Sequence, residues 1–139
     1  MNSSTSIFVD TNFFLRYLLD DEPAMAEKAE ALFQRAVAGE VLLTTSLLVI
    51  AEIVWTLESF YQLARSEIAT KVEAILSLPN LDCSEAETLL QALDLYVSKN
   101  IDFVDAYNAC DLKNKGIQQI ATFDRKHFRR VQWLEVIEV

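Results

Sequence analysis

The chain alternates short, mostly apolar runs with longer segments of helical character. The short runs have the length of strands, whereas the longer segments exceed strand length and favour helices. The predicted strands are Ile7–Val9, Glu40–Thr44, Leu81–Cys83, Gln119–Thr122 and Trp133–Val139. The predicted helices are Phe13–Leu19, Ala24–Ala38, Leu47–Tyr61, Ser66–Leu78, Ser84–Ser98 and a last one that begins at Asp102 and ends before Gly116.

This order of elements predicts an α/β fold. Strands that alternate with helices at this spacing require right-handed crossovers, so we expect a mostly parallel sheet covered by helices on both faces. The length of 139 residues is that of one domain, and no linker or repeat interrupts it, so residues 1–139 are predicted to form a single domain.

Composition excludes several classes of function. Only Gly39 and Gly116 are present, so no glycine-rich phosphate or dinucleotide loop exists. The single histidine, His127, and two distant cysteines, Cys83 and Cys110, cannot form a structural zinc site. One histidine in a basic stretch also disfavours acyl transfer by a serine or cysteine nucleophile. Any metal must therefore be held mainly by carboxylates.

The chain has the features of a cytoplasmic protein. Its longest uninterrupted apolar run, Leu47–Ala51, is too short to span a membrane, and no basic residue precedes Arg16 to form a leader. Two well-separated cysteines fit a reducing compartment, where both are expected as free thiols.

Glu52 is the most informative acid, because it lies within the apolar segment Leu48–Trp55. Its helical neighbours at three and four positions are largely apolar, so we expect a buried carboxylate. Such a group must be protonated, paired with a cation or bound to metal. The alternatives are a partly exposed glutamate or an ion pair with a residue such as Arg16.

Three aspartates occupy positions that suit a site. Asp10 directly follows the first predicted strand and Asp124 closely follows the fourth, where ligands bind in parallel sheets. Each could instead cap a helix or form a turn. Asp102 is best placed as the N-cap of its helix, whereas Asp105 lies on a largely apolar helix, where a site role and a first-turn role are equally open.

The inferred positions of Asp10, Glu52, Asp105 and Asp124 converge. Crowded carboxylates raise each other's pKa, and a hard divalent cation with oxygen ligands relieves that repulsion. The sequence therefore predicts Mg²⁺ or Mn²⁺, which activates water and neutralises charge on a phosphate under attack.

With these residues the sequence resembles the PIN-domain ribonucleases, and among them the VapC-type toxins of toxin–antitoxin pairs. The resemblance runs nearly end to end. It is carried by four motifs: Phe8–Asn12, Leu48–Glu52, Asp102–Ala106 and Ala121–Asp124.

The resemblance implies a three-layer α/β/α fold with a mostly parallel five-stranded sheet. It also implies cleavage of single-stranded RNA with magnesium or manganese, a homodimer, and inhibition by a cognate antitoxin. Asp10, Asp105 and Asp124 would hold the metal, and Glu52 would ligate it or orient the attacking water. The family's polar positions near the metal fall on Thr11, Asn12, Thr122 and Asn108.

The charge distribution is consistent with an RNA substrate despite a net charge of −9. Residues 99–130 contain seven of the 12 basic residues against four acids. The basic residues that follow the last site acid are predicted to contact RNA phosphates or, alternatively, to form a solvated charged loop; they are Arg125, Lys126, Arg129 and Arg130.

Two other classes of function remain as alternatives. A phosphoryl-transfer protein of receiver or phosphatase type also places an aspartate after its first strand, but Asn12 stands where such a phosphatase needs a second acid. A non-catalytic PIN-like module would only bind a partner, through the apolar residues Phe13, Phe14, Tyr17 and Leu18, and loss of a site acid would favour it.

Overall fold

The computed structural model describes residues 6–137, which form two compact units, one up to Ala86 and the other from Glu87 onward. Each unit is described in turn. That residues 1–139 behave as one domain stays a prediction.

The first unit contains a three-stranded parallel sheet and four helices. The strands β1, β2 and β3 lie in that order, with Ile7 paired to Leu43 and Leu43 to Leu81. The elements are β1 (Ser6–Phe8), α1 (Thr11–Leu19), α2 (Pro23–Val37), β2 (Leu42–Thr44), α3 (Leu47–Ser59), α4 (Arg65–Leu76) and β3 (Leu81–Asp82). Every strand and helix predicted in this region is present, with ends that differ by a few residues.

Local signals set the helix ends in the first unit. The Asp10 carboxylate accepts a hydrogen bond from the Phe13 N–H at 3.0 Å and so caps α1. Ser46 caps α3 in the same way through the Val49 N–H. After α2, Gly39 adopts a φ of +80°, a conformation that glycine takes without steric cost, and the chain turns into β2.

Aromatic packing joins α1 to α2. Phe33 is 2% exposed, and its ring lies 4.6 to 5.8 Å from the rings of Phe13, Phe14 and Tyr17. Edge-to-face and stacked arrangements at these distances are favourable. This cluster fixes α1, which begins next to Asp10, against the rest of the unit.

The described part of the second unit contains three helices and a two-stranded parallel sheet. Its elements are α5 (Ala86–Ser98), α6 (Phe103–Asn114), β4 (Gln119–Ile120), α7 (Arg125–Phe128) and β5 (Glu135–Val136). Gln119 pairs with Glu135. Beside the sheet, the Trp133 indole N–H donates to the Ala109 carbonyl at 2.8 Å, and the Lys113 ammonium lies 4.5 Å from the indole centroid.

The predicted α/β class with parallel strands is confirmed, and all five strands are present. Their ladders form a three-stranded and a two-stranded sheet rather than one sheet of five strands. Apolar runs identify strands but do not specify which strands pair, and the last three strands have only two residues each. The end of the predicted fifth strand, residues 138–139, lies outside the described residues. Within residues 6–137, none of the helices combines the length and hydropathy needed to cross a membrane.

Candidate functional site

In the first unit, Asp10 and Glu52 line one open cavity of about 360 Å³. Asp10 lies at the start of α1 and Glu52 in the second turn of α3. The Thr11 hydroxyl donates to Glu52 Oε1 at 2.5 Å and links the two helices. The remaining lining residues are Asn12, Leu15 and Thr56. The cavity therefore presents two carboxylates, hydroxyls and an amide to solvent.

Glu52 is exposed, so the expectation of a buried carboxylate was wrong. The apolar segment around it encircles the helix: α3 buries the face that includes Ile50, Ile53 and Leu57. Glu52 lies on the opposite stripe, where Leu48 is 78% and Trp55 is 68% exposed. An apolar neighbour in the sequence is therefore not always a buried one, because Leu48 and Trp55 face solvent.

Arg16 is not the partner of Glu52. Its guanidinium Nη1 lies 3.0 Å from an Asp21 carboxylate oxygen and 2.6 Å from one of Glu22. Its Nη2 donates to the Tyr61 hydroxyl at 3.2 Å. This hydrogen bond, more than any other contact, raises the pKa of Arg16. Arg16 thus ties the end of α1 to the loop after α3.

Asp10 is both a helix cap and a cavity residue. Its Oδ1 accepts the Phe13 N–H, and a carboxylate has about four lone-pair sites, so capping leaves acceptor capacity directed elsewhere. The two interpretations left open by the sequence are therefore compatible.

In the second unit, Asp105 interacts electrostatically with Asp124. Asp105 is half-buried on α6, and burial raises the pKa of its carboxyl. The negative charges of Asp102 and Asp124 raise it further, while His127 opposes them. Asp102 occupies the N-cap position of α6, as predicted, but its side chain makes no capping hydrogen bond.

Asp124 is the N-cap of α7 and contacts His127 twice. Its carboxylate accepts the His127 backbone N–H at 3.3 Å, and its two oxygens lie 2.8 and 3.0 Å from His127 Nδ1. The side-chain hydrogen bond from His127 is the main reason that the pKa of Asp124 is lowered. The Asp124 N–H in turn donates to the Thr122 hydroxyl at 3.0 Å.

His127 was not predicted as a site residue. The available signal was its position three residues after an aspartate that could cap a short helix, because this spacing brings the two side chains together. The four-residue helix α7 itself was missed, since it is too short to show an apolar period.

The other predicted residues divide between exposed and structural positions. Asn12 lines the cavity of Asp10, whereas Asn108 is exposed on α6. Among the basic residues, Lys126 and Arg129 are exposed. Arg130 donates to the Lys99 and Asn100 carbonyls at 3.2 and 2.9 Å, so its guanidinium holds the end of α5.

Each unit thus carries one pair of the predicted acids. Among residues 6–137, the structure contains no group of three or more His, Cys, Asp or Glu side chains that could hold a metal. The convergence of both pairs on one cation stays a prediction. The candidate metal ligands in each unit are carboxylate and hydroxyl oxygens. Oxygen ligands suit Mg²⁺ or Mn²⁺ rather than a soft metal.

The chain is similar to several known proteins. The family model of the PIN domain matches residues 7–134. A VapC ribonuclease of Aquifex aeolicus (strain VF5) is 28% identical over 119 residues, which are 85% of this chain and 87% of that protein. Among solved structures, the Mycobacterium tuberculosis toxin VapC20, described as cleaving the sarcin-ricin loop, is 23% identical; the match covers 88% of this chain and 93% of that one, with a TM-score of 0.40.

Proposed function

Because the chain belongs to the PIN-domain family, we propose that it is a metal-dependent endoribonuclease that cleaves single-stranded RNA. The resemblance to VapC-type members is confirmed by the family match and by the VapC relative. The observation that carries the proposal is the cavity shared by Asp10 and Glu52, in which the Thr11 hydroxyl holds the Glu52 carboxylate. This family excludes the receiver and phosphatase alternatives.

In this proposal Asp10, Asp105 and Asp124 hold Mg²⁺ or Mn²⁺. Glu52 ligates the same cation or orients the attacking water, and Thr11 fixes the orientation of Glu52. When bound, the cation lowers the pKa of water and stabilises the charge that develops on the phosphate. Lys126 and Arg129, which are exposed, neutralise flanking RNA phosphates in this proposal.

We further propose that the protein is the toxin of a type II toxin–antitoxin pair, works in the cytoplasm and forms a homodimer. The support is the similarity to a VapC ribonuclease over most of both chains. A cognate antitoxin is then the expected protein partner.

Replacement of Glu52 tests the catalytic assignment. Glu52→Gln keeps the shape of the side chain and removes its charge, so RNA cleavage should fall at least 100-fold, a loss of roughly the size that general base catalysis supplies. Glu58→Gln, on the same helix but paired with Arg65 at 3.9 Å, is the matched control and should keep its activity. Cleavage by Glu52→Gln at the wild-type rate would refute the assignment.

Chelation tests the metal. Wild-type cleavage of a single-stranded RNA should stop in excess EDTA and return with added Mg²⁺ or Mn²⁺, because in this proposal the bound cation activates the attacking water. Undiminished cleavage in chelator would contradict the proposal.

A further inference from the structure

The short helix α7 places an imidazole against the carboxylate of Asp124. His127 Nδ1 lies 2.8 Å from one carboxylate oxygen and 3.0 Å from the other, so the ring faces both oxygens. The backbone N–H of the same residue reaches Oδ1 at 3.3 Å. Residue 127 therefore contributes two separate donors to one side chain.

The chemistry of the pair fixes which ring nitrogen carries hydrogen. Both oxygens of the Asp124 carboxylate face Nδ1, and an ionised carboxylate can only accept hydrogen bonds. Nδ1 must then be protonated and donate, whatever the state of Nε2. This hydrogen bond is shorter than the one from the His127 backbone N–H, and it further restricts the rotation of a carboxylate that is 43% exposed.

Two further interactions involve Asp124. Its N–H donates to the Thr122 hydroxyl, which fixes the backbone just before α7. The positive charge of Arg130 also acts on the carboxylate, although the Arg130 guanidinium donates to the Lys99 and Asn100 carbonyls. The imidazole is thus the side chain that orients the carboxylate.

We propose that His127 is a positioning residue that orients Asp124 for the divalent cation. The inference rests on the proposed function, in which Asp124 is a metal ligand. Carboxylates that bind metals are commonly oriented by such outer hydrogen bonds, whose loss lowers metal affinity about 10- to 100-fold. His127 itself touches neither the cation nor the RNA in this assignment.

Direct measurement of Mn²⁺ binding tests the role without reference to activity. The free Mn²⁺ signal in electron paramagnetic resonance gives the Kd of the full chain and of its variants. His127→Ala should bind Mn²⁺ about tenfold more weakly. His127→Asn places an amide N–H near the position of Nδ1 and should recover most of the affinity. Tighter binding by His127→Ala would overturn the proposal, because it would show that the imidazole competes with the cation.

A purely structural role predicts a different result. The cap of α7 uses the backbone N–H of residue 127, which His127→Ala retains. The variant should therefore keep nearly the wild-type melting temperature in chelator while its Mn²⁺ affinity falls. A lower melting temperature with unchanged affinity for Mn²⁺ would overturn the positioning role.

The variant Asp124→Asn separates failure of this inference from failure of the proposed function. If Asp124 is a ligand, Asp124→Asn weakens Mn²⁺ binding, and adding His127→Ala has no further effect. Unchanged affinity in Asp124→Asn would remove Asp124 from the metal site and so contradict the proposed function. Weaker binding in Asp124→Asn but wild-type affinity in His127→Ala would refute the positioning role alone.

Discussion

Two carboxyls of the second unit have pKa values that shift in opposite directions for identifiable reasons. Asp105 is half-buried beside other acids, which raises the pKa of its carboxyl. Asp124 is exposed but accepts hydrogen bonds from His127, which lowers the pKa of its carboxyl. Without metal, ionised Asp105 is therefore a source of instability, whereas ionised Asp124 is favourably paired.

We predict that Asp105→Asn melts at a higher temperature than wild type near neutral pH, in chelator and low salt. The pKa of Asp105 is higher in the folded than in the unfolded state, so the residue makes its full contribution to stability at a pH below the unfolded pKa of about 3.9. This contribution is lost as the pH rises through the folded pKa. The increase in melting temperature of Asp105→Asn over wild type should therefore be absent below about pH 3.9 and grow above that pH. Thermal melts across this range measure the difference.

Two controls accompany that measurement. Asp111→Asn, on the same helix, removes a carboxylate that pairs with Lys115 at 2.9 Å and should give no gain. Added Mg²⁺ should reduce or reverse the advantage of Asp105→Asn, because a cation bound at the proposed site would stabilise the folded wild type more than the variant, which lacks one proposed ligand. A constant advantage at all pH values would contradict the electrostatic cause.

At the scale of single residues, the sequence predicts which side chains can take part in chemistry more reliably than it predicts whether they are buried or exposed. Asp10 was placed correctly because its position after a strand and before a helix follows from local pattern. The prediction that Glu52 is buried was wrong, because the sequence does not show which of its apolar neighbours face solvent. The pairing of His127 with Asp124 was missed because it depends on a turn that has no apolar period.

At the scale of elements, the position of Asp10 depends on how firmly α1 packs on α2. Phe33 supplies the centre of that contact through three aromatic neighbours on α1. Stability and site geometry are therefore linked through one side chain of α2 that is remote in sequence from the acids.

Truncation of that side chain should be costly. Phe33→Ala is expected to lower the free energy of unfolding by about 3–5 kcal/mol, the usual range for a buried phenylalanine. Phe33→Leu keeps much of the volume and should cost clearly less. Urea denaturation of both variants checks the order, and equal losses would show that the ring makes no special contribution.

Helices were the most predictable elements, and strand pairing the least. Pro23 and Gly39 mark the ends of α2 through local geometry, which a sequence displays directly. Strand partners depend on contacts between distant segments, and strands of two residues such as β4 and β5 contain too little pattern to specify them.

At the scale of the whole molecule, a net charge of −9 opposes RNA binding unless the basic charge is local. Lys126 and Arg129 are exposed and follow Asp124 within five residues in sequence, so they are the proposed source of that local charge. Arg130 is less available, because it holds the carbonyls at the end of α5.

We predict that replacing Lys126 and Arg129 together by alanine weakens RNA binding and its salt dependence. Each lost phosphate contact on a single strand lowers the slope of log K against log salt by about 0.7, so the double variant should lose about 1.4. Binding of a labelled single strand to the Glu52→Gln background, at several salt concentrations, gives the slope.

The matched control is a second double variant that removes the same positive charge at positions far from Lys126 and Arg129 in the sequence. Arg35 and Lys71 lie in the first unit near Glu40 and Glu67, respectively, and their double replacement should leave the slope unchanged. Equal slopes for all three proteins would place the RNA elsewhere.

The indole of Trp133, held by the Ala109 carbonyl and covered by Lys113, gives the second unit its own fluorophore, while exposed Trp55 gives one to the first. Trp55 should emit at longer wavelength, because most of its ring meets water. Trp55→Phe keeps only Trp133 and reports on the second unit, whereas Trp133→Phe keeps only Trp55 and reports on the first. If their urea transitions coincide, the chain unfolds as a single cooperative domain despite its two sheets; if they separate, each pair of acids belongs to a body that melts on its own.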